Sequence, residues 1–264
     1  MGRFLGTFYD RRGLFFSFVQ REVSKSFKGS YLGVLWTVLE PLSLLVVYTI
    51  VFSGILRTRF VPDGTTTNFA IYLFCGLLPW LAFSGAVTKS VRALRSNAGL
   101  VKKVVFPLEM LPASTVAAAL VSQLFGLTAL LVIVGVIDRQ LQWTLVFVPL
   151  LLVPQLIFTL GVGYIAATVG AFVRDLQEAM GAIMRLWFFL TPVVWPLSAV
   201  PEQYRPLLEL NPMTLLVGDY RRVVLEGRLP DWGNTLQFTI IGVILLVIGF
   251  FVFERMKKHF ADVI

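Results

Sequence analysis

Charge is scarce in this sequence. Asp, Glu, Lys and Arg make up 14% of its 264 residues, against about 25% in ordinary globular proteins. Cysteine and histidine are nearly missing, with Cys75 and His259 alone. One cysteine excludes a disulfide framework within the chain. One histidine removes most metal and acid–base constellations. No G-x-x-x-x-G-K-[ST], H-E-x-x-H, C-x-x-C or G-x-S-x-G motif occurs. The chain therefore has no phosphate-cradling loop of its own, and the commonest zinc, redox and hydrolase signatures are excluded. No catalytic residue, metal site or bound cofactor is expected.

Apolar residues are abundant instead, at 57%. Too few polar side chains remain to cover a soluble domain of this size, so lipid is the expected solvent. Runs free of Asp, Glu, Lys and Arg are Pro41–Leu56, Gly64–Thr88, Met110–Ile137, Gln140–Val173, Leu186–Pro201 and Trp232–Phe253. Crossing a bilayer takes about 20 such residues. The first run suffices once it is extended back to Gly29 through Glu40. The fifth is short and carries Pro192, Pro196 and Pro201. Broken backbone of this kind must be buried in protein or line a wet cavity. The expected fold is one all-α membrane domain, 1–264. Its spans are 31–56, 69–91, 110–137, 143–173, 186–201 and 233–253. An amphipathic interface helix lies within 1–30, and short re-entrant outer helices within 202–232.

The basic residues assign the orientation. Six crossings put both termini on one side. That side holds sixteen Lys and Arg, the other seven, with seven acids on each side apart from Glu40. Both termini are expected in the cytoplasm. The formal net charge of +8 then reflects topology rather than nucleic-acid binding. Trp143 and Trp232 open the fourth and sixth spans at belt positions, with Trp36 near the inner end of the first. Met1–Lys28 is interrupted by charge and shows no apolar signal-peptide core.

Several segments are not spans. Phe15, Val19, Val23 and Phe27 form one i, i+4 row, with Arg12, Arg21, Lys25 and Lys28 around it. This predicts a helix in the cytoplasmic interface, apolar side in the acyl boundary, serving as an anchor or as a lever on a cytoplasmic partner. In Lys89–Pro112, Ser96, Asn97 and Gly99 break the helix continuing from the second span. Leu100, Val101, Val104, Val105 and Phe106 then stand beside Lys102 and Lys103. Such a loop is a docking element or a solvated positive-inside connection. In the fourth span, Gly163 with Ala167 and Ala166 with Gly170 allow close helix approach, more readily within the chain than between copies.

Glu40 is the one ionisable residue well inside a span. It is a channel-facing carboxylate or one that snorkels to the inner interface. Aromatic residues cluster on two spans: Trp36, Tyr48 and Phe52 on the first, Trp187, Phe188, Phe189 and Trp195 on the fifth. Aromatic faces of this kind suit sugar rings sliding past, or simply an aromatic-rich core.

Six collinear stretches carry a resemblance: SYLGVLWTVLEPLSLLVVYTIVFSGIL (Ser30–Leu56), GLLPWLAFSGAV (Gly76–Val87), NAGLVKKVVFPLEMLP (Asn97–Pro112), FVRDL (Phe172–Leu176), LTPVVWPLSAVP (Leu190–Pro201) and LNPMTLLVGDYRRVVLEG (Leu210–Gly227). Together they resemble the membrane subunit of type-2 ABC polysaccharide exporters, which handle O-antigens, capsules and teichoic acids. The resemblance implies a homodimeric permease in a bacterial inner membrane, without enzymatic activity of its own. Two copies of a separate ATPase subunit would hold the ATP and Mg, and a lipid-linked glycan would be the cargo. It implies channel-lining roles for Trp36, Glu40, Tyr48, Phe52, Trp187, Phe188 and Trp195. It places ATPase coupling on Asn97, Leu100, Val101, Lys102, Lys103 and Phe106, and an outer gate on Asn211, Pro212, Tyr220 and Arg221. An exporter of small hydrophobic drugs or lipids is the alternative. A membrane-embedded transferase would need more buried acids or a histidine. A secondary transporter often shows inverted repeats, and none is visible.

Overall fold

The computed structural model describes residues 10–25, 66–102, 106–137 and 142–264, with scattered positions from Leu35 to Val51. Among these residues every regular element is helical. The main helices are α1 (Arg12–Lys25), α2 (Thr66–Ala93), α3 (Met110–Ile137), α4 (Val148–Phe172), α5 (Leu176–Leu190), α6 (Arg205–Glu209), α7 (Pro212–Val224) and α8 (Trp232–Met256). Four segments are long and apolar enough to cross a membrane: Ile71–Ala93, Met110–Val136, Trp143–Phe172 and Trp232–Val263.

Residue pairing gives the helix directions. Gly126 lies against Leu78, and Val116 against Gly163, so α3 runs antiparallel to α2 and α4. Gly242 meets Phe158 and Gly249 meets Gly161, so α4 and α8 run parallel. These contacts need glycine. A Cβ on Gly249 would stand 2.5 Å from the Gly161 carbonyl oxygen, and one on Gly161 would stand 2.5 Å from the Leu246 backbone nitrogen. Where lipid supplies no hydrophobic drive, such approach gains van der Waals contact along the seam. Gly170 approaches Val91 and Gly163 approaches Ser90 in the same way, so both glycines of the expected small-residue motif pack within the chain.

Two apolar cores are stacked along the bundle. The larger joins α2, α4, α5, α7 and α8 through residues such as Phe83, Phe158, Met184, Val217 and Phe238. The smaller gathers Phe18, Leu94, Val101, Tyr164, Phe253 and Phe260. The N-terminal helix and the C-terminal tail therefore meet at one end, here called the basic end. Lys257 Nζ reaches the buried Glu109 carboxylate at 2.5 Å there, and the Tyr164 hydroxyl donates to the Glu109 carbonyl. At the other end, exposed Trp143 and Trp232 flank Phe147, ring centroids about 6 Å apart.

Two expectations change. The run read as a fifth span, Leu186–Pro201, is helical only to Leu190, and its helix starts ten residues earlier, at Leu176. Gln177, Glu178 and Arg185 belong to this helix rather than to a loop. Fifteen residues rise about 22 Å, short of a core of about 30 Å. The connection through Thr191–Val200 covers the remaining distance without regular α-helix. The second change concerns α1. Phe18, outside the proposed row, is its buried residue, and Phe15, Val19 and Val23 are half-buried beside it. That face packs on protein, not lipid. Leu14 and Phe16 are its exposed large apolar residues.

Candidate functional site

At the basic end, α1 is seated on the stretch after α2. Phe18 and Phe106 rings lie 5.3 Å apart, and Arg21 donates to the Asn97 carboxamide oxygen at 2.5 Å. Asn97 in turn donates to the Ala93 carbonyl. It thus ties the broken end of α2 to α1 and precedes a single helical turn, Ala98–Val101. Val101 is buried, Leu100 half-buried and Lys102 exposed. Arg95 donates to the Gly170 and Ala171 carbonyls. A cation there caps free carbonyls and complements the negative helix end. The interface helix and the loop expected to meet a cytoplasmic partner are therefore in direct contact. Lys103 lies outside the described residues.

The outer-gate residues are joined by hydrogen bonds. Asn211 caps α7 by accepting from the Met213 amide, with Pro212 at the first helical position, where its missing N–H costs nothing. The Asn211 side chain also accepts from the Trp187 indole at 3.0 Å. It donates to the Leu190 carbonyl and the Thr191 hydroxyl. One carboxamide thus locks the end of α5 to the start of α7. Farther along α7, Tyr220 donates to Gln155 at 2.8 Å and accepts from Gln123 at 3.0 Å. Gln155 also donates to the Pro79 carbonyl. This buried network, which the sequence reading missed, joins α2, α3, α4 and α7. A single Gln within each of α3 and α4 was the available signal. Gln155 sits seven residues into α4, so Tyr220 reaches about 10 Å down the bundle.

Arg221 is 5% exposed and forms no ion pair among the described residues. Its guanidinium lies 3.6 Å over the Tyr72 ring and donates to the Pro192 and Val193 carbonyls. It therefore clamps the broken segment after α5, where proline leaves the backbone irregular. The turn after α7 closes on Gly227, the one positive-φ glycine among the described residues. Asp219 accepts from the Asp231 amide and the Thr235 hydroxyl. Burial raises its carboxyl above the usual range, and these two bonds oppose that rise.

The expected channel aromatics separate. Trp187 and Phe188 are half-buried against Trp80, with Trp187 also on Phe83. Trp195 packs beside Leu73 and Val194. Phe189 is exposed, as is Trp36. Glu40, Tyr48 and Phe52 lie outside the described residues. Among the described residues no cluster of His, Cys, Asp and Glu has the makings of a metal site.

Residues 13–224 match the family pattern described as ABC-2 type transporter. The chain is 36% identical to the O-antigen export system permease protein RfbA of Myxococcus xanthus, over 99% of both chains. It is 30% identical to RfbA of Klebsiella pneumoniae over 92% of both. It is 28% identical to the polysialic acid transport protein KpsM of Escherichia coli, over 90% of this chain and 91% of that one. With a basic-end body joining α1 to the loop after α2, and most of its length inside the family pattern, the chain belongs to the ABC-2 type transporter membrane family.

Proposed function

We infer that this chain is the permease subunit of an ATP-driven exporter that moves a lipid-linked polysaccharide outward across a bacterial inner membrane. The observation that carries the reading is the docking of α1 on the Asn97–Phe106 stretch through Phe18–Phe106 and Arg21–Asn97. A force applied to either segment reaches the other, and through Arg95 reaches α4. Two chains would enclose the channel. Two copies of a cytoplasmic ABC ATPase, carrying the ATP and Mg, would press on this body. The polysaccharide cargo follows from the names of three relatives similar over nine-tenths or more of their length.

The topology supports six crossings with both termini cytoplasmic. α1 and the C-terminal tail share the smaller core, and α2 starts at the opposite end, so one crossing is proposed between α1 and α2. α2, α3, α4, α5 with its extended continuation, and α8 supply five more. α7, buried beside Tyr220's partners, is read as re-entrant from the outside. Trp36, Glu40, Tyr48, Phe52, Trp187, Phe188 and Trp195 are proposed for the channel side.

Two measurements test this. Deleting the chain should trap lipid-linked glycan on the inner leaflet and strip polysaccharide from the cell surface. Charge reversal at Lys102 and Lys103, or Phe106→Ala, should abolish co-purification of the ATPase while leaving membrane insertion intact. Normal surface polysaccharide after deletion would overturn the cargo. Unchanged co-purification and transport in the loop variants would overturn the coupling role. Stimulation of the ATPase by small hydrophobic drugs, with no glycan dependence, would favour a drug exporter.

A further inference from the structure

A cavity of about 600 Å³ opens at the tryptophan end, walled by α2, α6, α7, α8 and the segment after α5. That volume lies within the usual range for small-ligand sites, about 300–1,000 Å³. Much of its wall gives and accepts hydrogen bonds, through Tyr72, Thr214, Asn234 and Gln237. Its charges balance, Arg221 and Arg222 against Glu209 and Glu226. Leu197 and Leu215 add apolar surface. A bare anion would meet two carboxylates here. A purely apolar ligand would strip water from four charges, which is costly.

Two residues of this wall each hold a buried side-chain atom without a partner, the Thr214 hydroxyl and Arg221 Nε. Both residues are more than nine-tenths buried, at 6% and 5% exposure. Buried polar groups are ordinarily satisfied, so each exception needs a reason. Thr115, Thr128, Thr168 and Thr239 bond back to the carbonyl four residues earlier. Thr159 and Thr214 do not, and Thr214 stands in the first turn of α7, where the residue four back lies outside the helix. Threonine in a helix divides between two χ1 rotamers, and rotation about χ1 re-aims the hydroxyl without moving the backbone.

The geometry points to a saccharide-binding site in this cavity, holding one or two sugar residues of the exported chain beside the exit. Sugar rings present hydroxyls that both donate and accept, and C–H faces that suit Leu197 and Leu215. The neutral balance of charge and the mixed donors and acceptors fit that chemistry better than a phosphate alone. The site is walled by one chain. It would hold sugar outward of α7 and resist backward slip. The inference rests on the polysaccharide reading above.

The test uses the complete exporter in cells making their own polysaccharide. A photo-crosslinking amino acid replaces Gln237, which is exposed at the rim. Adducts should form a glycan ladder. Thr214→Val, close in shape, should lower ladder intensity about fivefold, the worth of one hydrogen bond, and Thr214→Ser should restore it. Adducts with phospholipid alone, or a ladder indifferent to Thr214→Val and Asn234→Leu, would overturn the site. If the chain restores surface polysaccharide to a deletion strain yet Gln237 captures no glycan, the cavity claim alone fails. If deletion leaves surface polysaccharide unchanged, the cargo reading itself fails.

Discussion

Asn211 holds together two helices that nothing in local propensity would join. Its side chain accepts from Met213 and Trp187 and donates to Leu190 and Thr191. Losing an N-cap costs about 0.5–2 kcal/mol, and a hydrogen bond between membrane helices averages about 0.6 kcal/mol. Asn211→Ala should therefore destabilise the detergent-purified protein by about 2 kcal/mol, read as a fall in thermal midpoint. Asn211→Asp keeps the cap and the indole bond but loses both donors, and should fall between wild type and alanine. Equal loss in the two variants would mean that the cap and the indole bond contribute nothing, and an aspartate variant as stable as wild type would mean the same of the donors to Leu190 and Thr191. The Asn-Pro pair at 211–212, named from the sequence only for the outer gate, carries the residue types of a helix start. Phe18 was not legible in sequence, because a single i, i+4 row ran through Phe15 and Val19 and passed beside it. Gln123 and Gln155 escaped for a different reason. An amide in an apolar run reads as a tolerated exception until its partner, thirty-two residues away, is placed against it.

Helices of uniform hydrophobicity were the easiest to delimit. α3 occupies Met110–Ile137 as the charge-free run predicts, and the fourth span opens at Trp143 through a 3₁₀ turn. α5 was obscured because Gln177, Glu178 and Arg185 look like a loop. Its signal was the helical spacing of Met180, Met184, Trp187 and Phe188, which continues unbroken across Arg185. The closest seam, between α4 and α8, was half legible. Gly163 and Gly170 were singled out, but they pack on α2. Gly161 with Gly242 and Gly249 makes the seam to α8, and no one-helix motif reveals a pairing that spans two helices. Gly161→Ala and Gly249→Ala each force a Cβ into backbone, and overpacking of this kind costs about 1–3 kcal/mol. Both should lower the thermal midpoint in detergent. Gly85→Ala, with nothing within 4 Å of its Cβ, should hold or raise it, since alanine is favoured over glycine in a helix by about 1 kcal/mol. A Gly249→Ala protein as stable as wild type would show that the seam is looser than drawn.

The arrangement of the whole chain turns on which end faces which compartment, and the lone cysteine makes that measurable. Cys75 is fully buried in the larger core, beneath α7. A membrane-impermeant maleimide should leave the native protein unlabelled from either side and react only after denaturation. That silence makes any introduced cysteine a clean reporter. Ser24 on α1 and Ala261 in the C-terminal tail are exposed at the basic end, and Glu202 is exposed at the tryptophan end. The proposed orientation, which rests on the excess of Lys and Arg at the first end, faces that end to the cytoplasm. Glu202→Cys should then label in spheroplasts with an intact inner membrane. Ser24→Cys and Ala261→Cys should label only once that membrane is permeabilised. Labelling of Ser24→Cys and Ala261→Cys from opposite sides would make the number of crossings odd, and would separate α1 from the Phe260 core that the fold joins to it. Labelling of Ser24→Cys and Ala261→Cys from outside, with Glu202→Cys labelled only after permeabilisation, would invert the molecule and leave the α1 platform with no ATPase to meet.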